Sequence, residues 1–348
     1  MAEQLKIAIS GAGAIAERAH IPALKTVAAA RIVAIHSRTR EKAENLASSL
    51  FAASDRPRVY DAYDQMLTRE RPDAVCVLTP NRHHREYASK AIAAGSHVLV
   101  EKPMAPTVAD CRIMVDAAQR AGRVLMVAMQ RRYGPYEVAV KRAIDAGAIG
   151  RPTFIRARLA HGGPDTWAPG QRWFYDPVEA GGGAMLDLGV HVADLALWLM
   201  GEAASVVGQV AKVRPEIQVD DSGAMVVTFR SGALGVIEAS WSSTPGLSSM
   251  EIYGSAGRIL LGYPRCDIAV QRSDGSEAPG FTRDEIVGGF DPLDLLAPFR
   301  ALAANFIAAI SGREKPHPTG ADGMRAIELI EACYRSSQSG ARVNLPLQ

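Results

Sequence analysis

The feature that most constrains the fold of this chain is a glycine turn between a short apolar run and a helical segment. Residues 5–10 (LKIAIS) have the length and composition of a buried strand, and GAGAIA at 11–16 follows directly. Residues 14–28 then show a helical pattern, which Pro22 interrupts. A strand, a glycine turn and a helix in this order are typical of the first unit of a doubly wound α/β domain.

The same alternation of strand and helix patterns continues to about residue 129. Further strands are predicted over 31–36, 73–78, 96–100 and 124–129, and further helices over 40–49, 60–69, 84–94 and 108–121. Strands separated by helices at this spacing need crossover connections, so their sheet is parallel. We therefore expect a dinucleotide-binding Rossmann domain, with a doubly wound parallel sheet, over residues 1–128.

The pattern changes after Gly150. Strands are predicted over 153–160, 206–213, 223–229, 234–240, 249–253, 258–261 and 267–271, and helices over 184–200, 297–311 and 320–337. Short turns between successive strands favour antiparallel pairing. We therefore expect residues 129–348 to form a second, α+β domain for substrate binding and oligomerisation, with helices on one face of an open, largely antiparallel sheet.

Composition excludes several classes of partner. The net charge is +2, from 39 basic and 37 acidic residues, so no overall attraction to nucleic acid or to a membrane is expected. The sequence has no uninterrupted apolar run of the length that spans a bilayer, about 18 residues, and no secretory leader pattern at its start. We expect a cytoplasmic protein.

The cysteines are scattered and form no CxxC pair. They are Cys76, Cys111, Cys266 and Cys333. This spacing argues against a structural zinc site and against a disulfide framework, and it fits a reducing compartment. No clustered set of metal ligands is present in the sequence, so we expect no metal.

The glycine turn has a physical role in dinucleotide binding. Gly11 permits the tight turn, Gly13 lets a pyrophosphate approach the backbone, and Ala16 permits close packing of the helix on the sheet. Together with the amides of the helix start, Gly11, Gly13, Ala14 and Ile15 are predicted to bind the pyrophosphate.

The end of the second predicted strand bears on the choice of cofactor. In NAD-binding domains this position normally holds an acid that binds the ribose hydroxyls. Here the sequence is His36-Ser37-Arg38-Thr39, without a carboxylate. Ser37 and Arg38 could bind a 2′-phosphate, which favours NADP over NAD, although NAD stays possible. The alternative is that Arg38 stacks on the adenine or is only solvated.

Three further motifs follow predicted elements in order along the chain. They are TPNRHH at 79–84, EKP at 101–103 and GGGAMLDLGVHVAD at 181–194. With the glycine turn, this set resembles the glucose-fructose oxidoreductase, inositol dehydrogenase and rhizopine-catabolism (Gfo/Idh/MocA) family over nearly the whole chain.

The resemblance implies a Rossmann domain followed by an α/β domain whose open sheet often mediates dimers or tetramers. It also implies that Lys102, Asp187 and His191 occupy the catalytic positions of the family. The expected reaction is the oxidation or reduction of pyranoses, cyclitols and related polyols with NAD or NADP.

The chemistry of these three residues agrees with that implication. Lys102 follows a parallel strand at the edge where open α/β sheets bind ligands, and its ammonium group can stabilise a developing alkoxide. Asp187 and His191 are four residues apart, so they share one helix face. A histidine can exchange the hydroxyl proton, while Asp187 binds a neighbouring hydroxyl or orients the imidazole.

Alternatives stay open for this helix. Asp187 could cap the helix after the three glycines, and His191 could be a buried core residue. Asp194 could replace Asp187 as the partner that orients His191.

Several other residues are candidates for ligand contact. Thr79, Pro80, Asn81, His84, Glu101 and Lys102 are predicted to contact the cofactor. His84 could equally cap or pack its helix. Arg158, Trp173 and Tyr175 are predicted to contact the substrate, because aromatic and hydrogen-bonding groups suit sugars. Packing is the alternative for these aromatic residues.

Two other functions are compatible with the pattern. One is glycoside cleavage by transient oxidation with retained NAD, against which the missing acid at the second strand counts. The other is dinucleotide sensing by a non-catalytic regulator, against which the set Lys102, Asp187 and His191 counts.

Overall fold

The computed structural model describes residues 4–263, 267–287, 291 and 294–347. Contacts divide the chain into two compact units. The first comprises the residues up to Gln130 together with Leu296–Met324, and the second comprises Arg131–Leu295 together with the residues from Arg325 onward. The segment Leu296–Met324 therefore groups with the first unit, although it follows most of the second unit in sequence.

The first unit contains a six-stranded parallel sheet with the strand order β3-β2-β1-β4-β5-β6. The strands are β1 Leu5–Ser10, β2 Ala30–His36, β3 Arg58–Tyr60, β4 Ala74–Val77, β5 His97–Val100 and β6 Leu125–Val127. The helices are α1 Ile21–Lys25, α2 Arg40–Leu50, α3 Tyr63–Glu70, α4 His84–Ala93 and α5 Val108–Ala121. This arrangement confirms the predicted doubly wound parallel sheet, to which the structure adds β3.

Burial and capping explain why the sequence indicates these elements so clearly. Ile7 and Ile9 of β1 and Val75 of β4 are fully buried, as expected for central parallel strands that are covered on both faces. Helix α5 begins after Thr107, whose side chain accepts a hydrogen bond from the amide of Asp110, and it ends at Gly122. Its observed bounds equal the predicted ones, because both ends carry local capping signals.

The second unit contains an eight-stranded sheet with the order β13-β12-β11-β7-β10-β9-β8-β14. The strands are β7 Pro152–Ala160, β8 Ala203–Ala211, β9 Ser222–Phe229, β10 Leu234–Ser240, β11 Leu247–Gly254, β12 Gly257–Tyr263, β13 Asp267–Arg272 and β14 Val343–Asn344. All pairs are antiparallel except β7 with β10, which confirms a largely antiparallel sheet.

The remaining helices are α6 Pro135–Asp145, α7 Pro177–Ala180, α8 Val190–Met200, α9 Arg283–Val287, α10 Ala297–Ile310 and α11 Gly320–Ser339. Helix α6 is absent from the sequence-based prediction. Its buried residues Tyr136, Ala139, Val140 and Ala143 have helical spacing, and Pro135 stands at its first position.

The stretch Pro177–Met200 has the length and mean hydropathy (1.4) of a helix that could cross a membrane. Of the most apolar 18 residues in this stretch, 89% are buried inside the protein. Helix α8 packs against β7 and β10, so this apolar stretch forms the core of the second unit.

Candidate functional site

The glycine turn after β1 is sterically constrained at one glycine and open at the other. Gly11 has a φ of +117°, and a Cβ there would lie 2.4 Å from the carbonyl oxygen of Leu78. Its amide donates to the carbonyl of His36 at 2.9 Å. A Cβ on Gly13 would meet no protein atom within 4 Å. Gly11 is thus required by the fold, whereas Gly13 leaves backbone accessible to a ligand.

The chain after this turn forms a π-helical turn, Ala16–His20, before α1. The predicted helix over 14–28 is therefore irregular, and its α-helical part is short. Ala16 is fully buried, in agreement with its predicted role in close packing of the helix start.

The end of β2 carries a buried histidine followed by exposed polar residues. His36 lies 3.0 Å from Ser10 Oγ and edge-on to the rings of Tyr63 and Tyr87. Burial lowers the pKa of His36 from 6.5 to about 4, so the ring is neutral at pH 7. Arg38 is exposed and supplies positive charge at this strand end.

The loop after β4 combines a buried hydroxyl with a buried histidine. Thr79 Oγ1 is buried and has no hydrogen-bond partner among the residues that the structure describes. His84 Nε2 lies 2.7 Å from the carbonyl oxygen of Thr79, and His84 Nδ1 lies 2.9 Å from that of Pro103. His84 thus bridges the loop after β4 and the turn after β5.

His84 is fully buried, and burial lowers its pKa. A neutral imidazole has one N–H, so it donates to one of these two carbonyls at a time. The structure gives His84 protein contacts on both ring nitrogens, which supports the packing alternative. Its contact with a cofactor stays a prediction.

The turn after β5 is held by a buried carboxylate. Glu101 Oε2 accepts a hydrogen bond from the backbone amide of Lys102 at 2.8 Å, and Glu101 Oε1 accepts one from His20 Nε2 at 2.7 Å. Lys102 is half-buried, and the bond between Lys102 and Pro103 is cis. Glu101, predicted to contact the cofactor, therefore fixes the backbone of Lys102.

Sequence reasoning missed His20. Its ring is 3% exposed and packs edge-on against Phe299 of α10, at 5.5 Å between ring centroids. His20 and Glu101 are 81 positions apart, and no local pattern relates them.

In the second unit, the helical segment that carries Asp187 and His191 starts at a carboxylate from a distant loop. Asp220 accepts hydrogen bonds from the amides of Gly183 (2.8 Å) and Met185 (2.9 Å) and from the hydroxyl of Tyr334 (2.8 Å). A Cβ on Gly183 would lie 1.7 Å from the carbonyl oxygen of Asp220, so only glycine fits. The cap that sequence analysis considered for Asp187 is supplied by Asp220.

Asp187 and His191 lie across an irregular helical turn. Met185–Gly189 forms a π-helical turn, and α8 begins at Val190, whereas the prediction was a regular helix over 184–200. Asp187 is 5% exposed and His191 is 7% exposed. Turns of this kind occur frequently at functional sites.

Asp187 has a hydrogen-bond partner that sequence analysis did not identify. The indole Nε1 of Trp241, just after β10, donates to Asp187 Oδ2 at 3.2 Å. Trp241 is 1% exposed. A tryptophan after a strand is usually a packing residue, so its sequence position carried no signal for this contact.

Asp194 belongs to a separate buried ion pair. Both of its carboxylate oxygens accept hydrogen bonds from Arg132, at 2.8 and 2.7 Å, and both side chains are almost fully buried. The guanidinium also lies 5.7 Å from the ring of Trp198. This bidentate pairing favours a structural role for Asp194 over the predicted alternative of orienting His191.

The aromatic candidates have different surroundings. Tyr175 is buried, packs edge-on against Trp241 at 5.8 Å and donates to Asp165 Oδ2 at 2.7 Å. The ring of Trp173 stacks on the ring of Phe174, with 3.8 Å between the ring centroids. Tyr175 thus contacts Trp241, which in turn binds Asp187.

Arg158 lies on β7 in a charged patch. Arg158 and Arg156 share a strand face and lie 3.6 and 2.9 Å from the carboxylate of Glu238 on β10. Ala157, on the opposite face of β7, is buried towards α8. The structure does not group Arg158 with Asp187, and its contact with substrate stays a prediction.

Comparison with protein families covers most of the chain. Residues 5–129 match the model described as "Oxidoreductase family, NAD-binding Rossmann fold", and residues 138–260 match the "GFO/IDH/MocA C-terminal domain".

Curated relatives include a D-apiose dehydrogenase of Paraburkholderia graminis, which is 27% identical over 99% of this chain and 90% of its own length. A 1,5-anhydro-D-fructose reductase of Ensifer adhaerens is 33% identical over 77% of this chain and 78% of its own. A myo-inositol 2-dehydrogenase of Thermotoga maritima is 27% identical over 98% of both.

Solved structures of similar fold include complexes with a dinucleotide. A levoglucosan dehydrogenase in complex with NADH and levoglucosan superposes with a TM-score of 0.88 at 25% identity, over 99% of this chain and 100% of that one. The WlbA dehydrogenase of Bordetella pertussis in complex with NADH and UDP-GlcNAcA superposes with a TM-score of 0.87 at 26% identity, over 100% and 99%.

Adding one methyl group should affect cofactor binding at Gly13 but stability at Gly11. Gly13→Ala should leave thermal stability unchanged but weaken NADH binding about tenfold or more, because the Cβ occupies space that a pyrophosphate needs. Gly11→Ala should lower the free energy of unfolding by about 1–3 kcal/mol, because it strains φ and crowds Leu78. Thermal melts and NADH fluorescence titrations measure both effects. Wild-type NADH affinity in Gly13→Ala would contradict the assignment of this turn.

Proposed function

The chain belongs to the Gfo/Idh/MocA family of NAD-binding oxidoreductases, and on this premise we propose that it is a dehydrogenase acting on a sugar, cyclitol or related polyol. The reaction is hydride transfer between a nicotinamide and a carbinol or carbonyl carbon. The relatives named above support the substrate class, since their names specify apiose, anhydrofructose, inositol and levoglucosan.

The observation that carries the proposal is the burial of two ionisable side chains, Asp187 and His191, one turn apart on a helical segment. Burying an ionisable side chain costs free energy. Buried ionisable side chains are therefore enriched at functional sites, where their chemistry is used. The segment start is also fixed by the carboxylate of Asp220.

The first unit fits a dinucleotide. The accessible backbone at Gly13 and the amides of the adjoining helical turn would hold the pyrophosphate. The buried hydroxyl of Thr79, with Pro80 and Asn81, would hold the nicotinamide ribose. When bound, the nicotinamide supplies or accepts the hydride.

The side chains of the protein handle the proton and the developing charge. In the oxidative direction His191 accepts the proton of the reacting hydroxyl, and in the reductive direction it returns that proton. Lys102 donates a hydrogen bond to the reacting oxygen and stabilises negative charge on it. Asp187 accepts a hydrogen bond from a neighbouring hydroxyl, which fixes the position of the reacting carbon. Tyr175 packs against Trp241, whose indole binds Asp187.

Replacement of His191 tests the proposed reaction. His191→Asn should bind NADH with wild-type affinity but lose about 100-fold or more in kcat, because the proton acceptor is removed. Turnover of levoglucosan, myo-inositol and D-apiose with NAD and with NADP measures the effect, and NADH titration is the control. Wild-type kcat in the variant would contradict the role of His191. Product without net NADH or NADPH would instead support glycoside cleavage.

We further propose a preference for NADP. Exposed Arg38 supplies positive charge next to Ser37, and the neighbouring His36 is neutral. A guanidinium can bind a 2′-phosphate through two hydrogen bonds.

Removal of the Arg38 guanidinium tests this preference. Arg38→Ala should weaken NADPH binding about tenfold, because a charge-assisted contact is lost, and should change NADH binding less than about twofold. Arg40→Ala is the matched control, since Arg40 pairs with Glu44 within α2. Equal effects of Arg38→Ala on both cofactors, measured by fluorescence titration, would contradict an NADP preference.

We also propose a homodimer or homotetramer formed through the open face of the second sheet. Val207, Val226, Leu234 and Tyr253 are each more than a third exposed and lie on this face. Contiguous exposed apolar side chains favour association. Val226→Lys should lower the molar mass measured by light scattering, because it places a charge in the interface. A monomeric wild type at micromolar concentration would contradict the proposal.

A further inference from the structure

A buried tryptophan contacts the carboxylate to which the proposed reaction assigns substrate binding. Trp241 Nε1 donates to Asp187 Oδ2 at 3.2 Å, and Trp241 is 1% exposed. An indole N–H can only donate, so it pairs with an acceptor such as a carboxylate. A hydrogen bond between buried groups restricts the rotation of both side chains.

The position of Trp241 is itself fixed by a second buried carboxylate residue. The backbone amide of Trp241 donates to the carbonyl of Asp221 at 2.7 Å. The carboxylate of Asp221 accepts hydrogen bonds from the amides of Val213 (3.1 Å) and Arg214 (2.6 Å), and Asp221 is fully buried. Asp221 therefore closes the connection between β8 and β9 and places Trp241 against it.

Asp220, which precedes Asp221 in the sequence, acts on the backbone that carries Asp187. Asp220 caps the helical segment by accepting from the amides of Gly183 and Met185. The consecutive residues Asp220 and Asp221 thus hold two different parts of the backbone. Asp220 fixes the backbone that carries Asp187, and the carbonyl of Asp221 fixes the backbone of Trp241, whose indole binds the Asp187 side chain.

We propose that Trp241 is a positioning residue for the reaction, whose indole N–H holds the Asp187 carboxylate in the orientation that binds substrate. This inference rests on the proposed role of Asp187. It adds a residue from outside the helical segment, and it makes the connection between β8 and β9 part of the support of the site.

A double-mutant cycle tests the proposal. Trp241→Phe keeps an aromatic ring but removes the donor, and Asp187→Ala removes the acceptor. With whichever of levoglucosan, myo-inositol or D-apiose the wild type converts fastest, Trp241→Phe should lower kcat/KM about tenfold or more, with unchanged NADH affinity. In the Asp187→Ala background, the same replacement should cost less than about twofold.

Trp198→Phe is the matched control, because Trp198 lies on α8 and contacts Arg132. It should leave kcat/KM within about twofold of the wild type. If Trp241→Phe does not fold, β-(3-benzothienyl)alanine at position 241 replaces it, since this isostere lacks only the N–H donor. The isostere should give the same loss of kcat/KM at wild-type thermal stability.

The outcomes separate this inference from the proposed function. Equal losses from the Trp241 replacement in both backgrounds would overturn the positioning role and leave the role of Asp187 intact. Wild-type activity of the isostere would do the same. A fully active Asp187→Ala protein would overturn the proposed role of Asp187, and the inference with it.

Discussion

The hydrogen bonds from the amides of Gly183 and Met185 to the carboxylate of Asp220 hold the start of the helical segment on which the proposed site of the second unit depends. The first amides of a helix have no partner within the helix, and burying them without one costs free energy. Asp220 supplies the partner, and its backbone approaches so closely that only glycine fits at position 183. The helical segment that carries Asp187 and His191 is thus fixed in place at its start.

The first unit uses buried polar side chains in a similar way. Glu101 binds the backbone amide of Lys102 and is itself bound by His20, while His84 bridges the carbonyls of Thr79 and Pro103. These contacts between distant parts of the chain hold the turns without regular secondary structure. In both units the residues proposed to act on substrate are supported by buried partners that act on the backbone or on a carboxylate.

Most of the fold could be predicted because its signals are local. Apolar runs and glycine turns identified five of the six parallel strands, and the predicted bounds of α5 equal the observed ones. Helix α6 was missed although its apolar residues have helical spacing. The π-helical turns at 16–20 and 185–189 could not be predicted, because backbone hydrogen-bond registers there depend on packing rather than on composition.

The doubly wound first domain, the largely antiparallel second sheet, the family and the candidates Lys102, Asp187 and His191 were all accessible from the sequence alone. The two domains follow from residue type and spacing over a few positions of chain, and the family and the three candidates follow from the resemblance that the motifs carry. Only the tertiary structure decided that Asp220 caps the helical segment, that Glu101 pairs with His20 and that Trp241 binds Asp187. These partners are 35 to 81 positions apart. A buried polar group needs a hydrogen-bond partner, and folding can bring that partner from a distant part of the sequence.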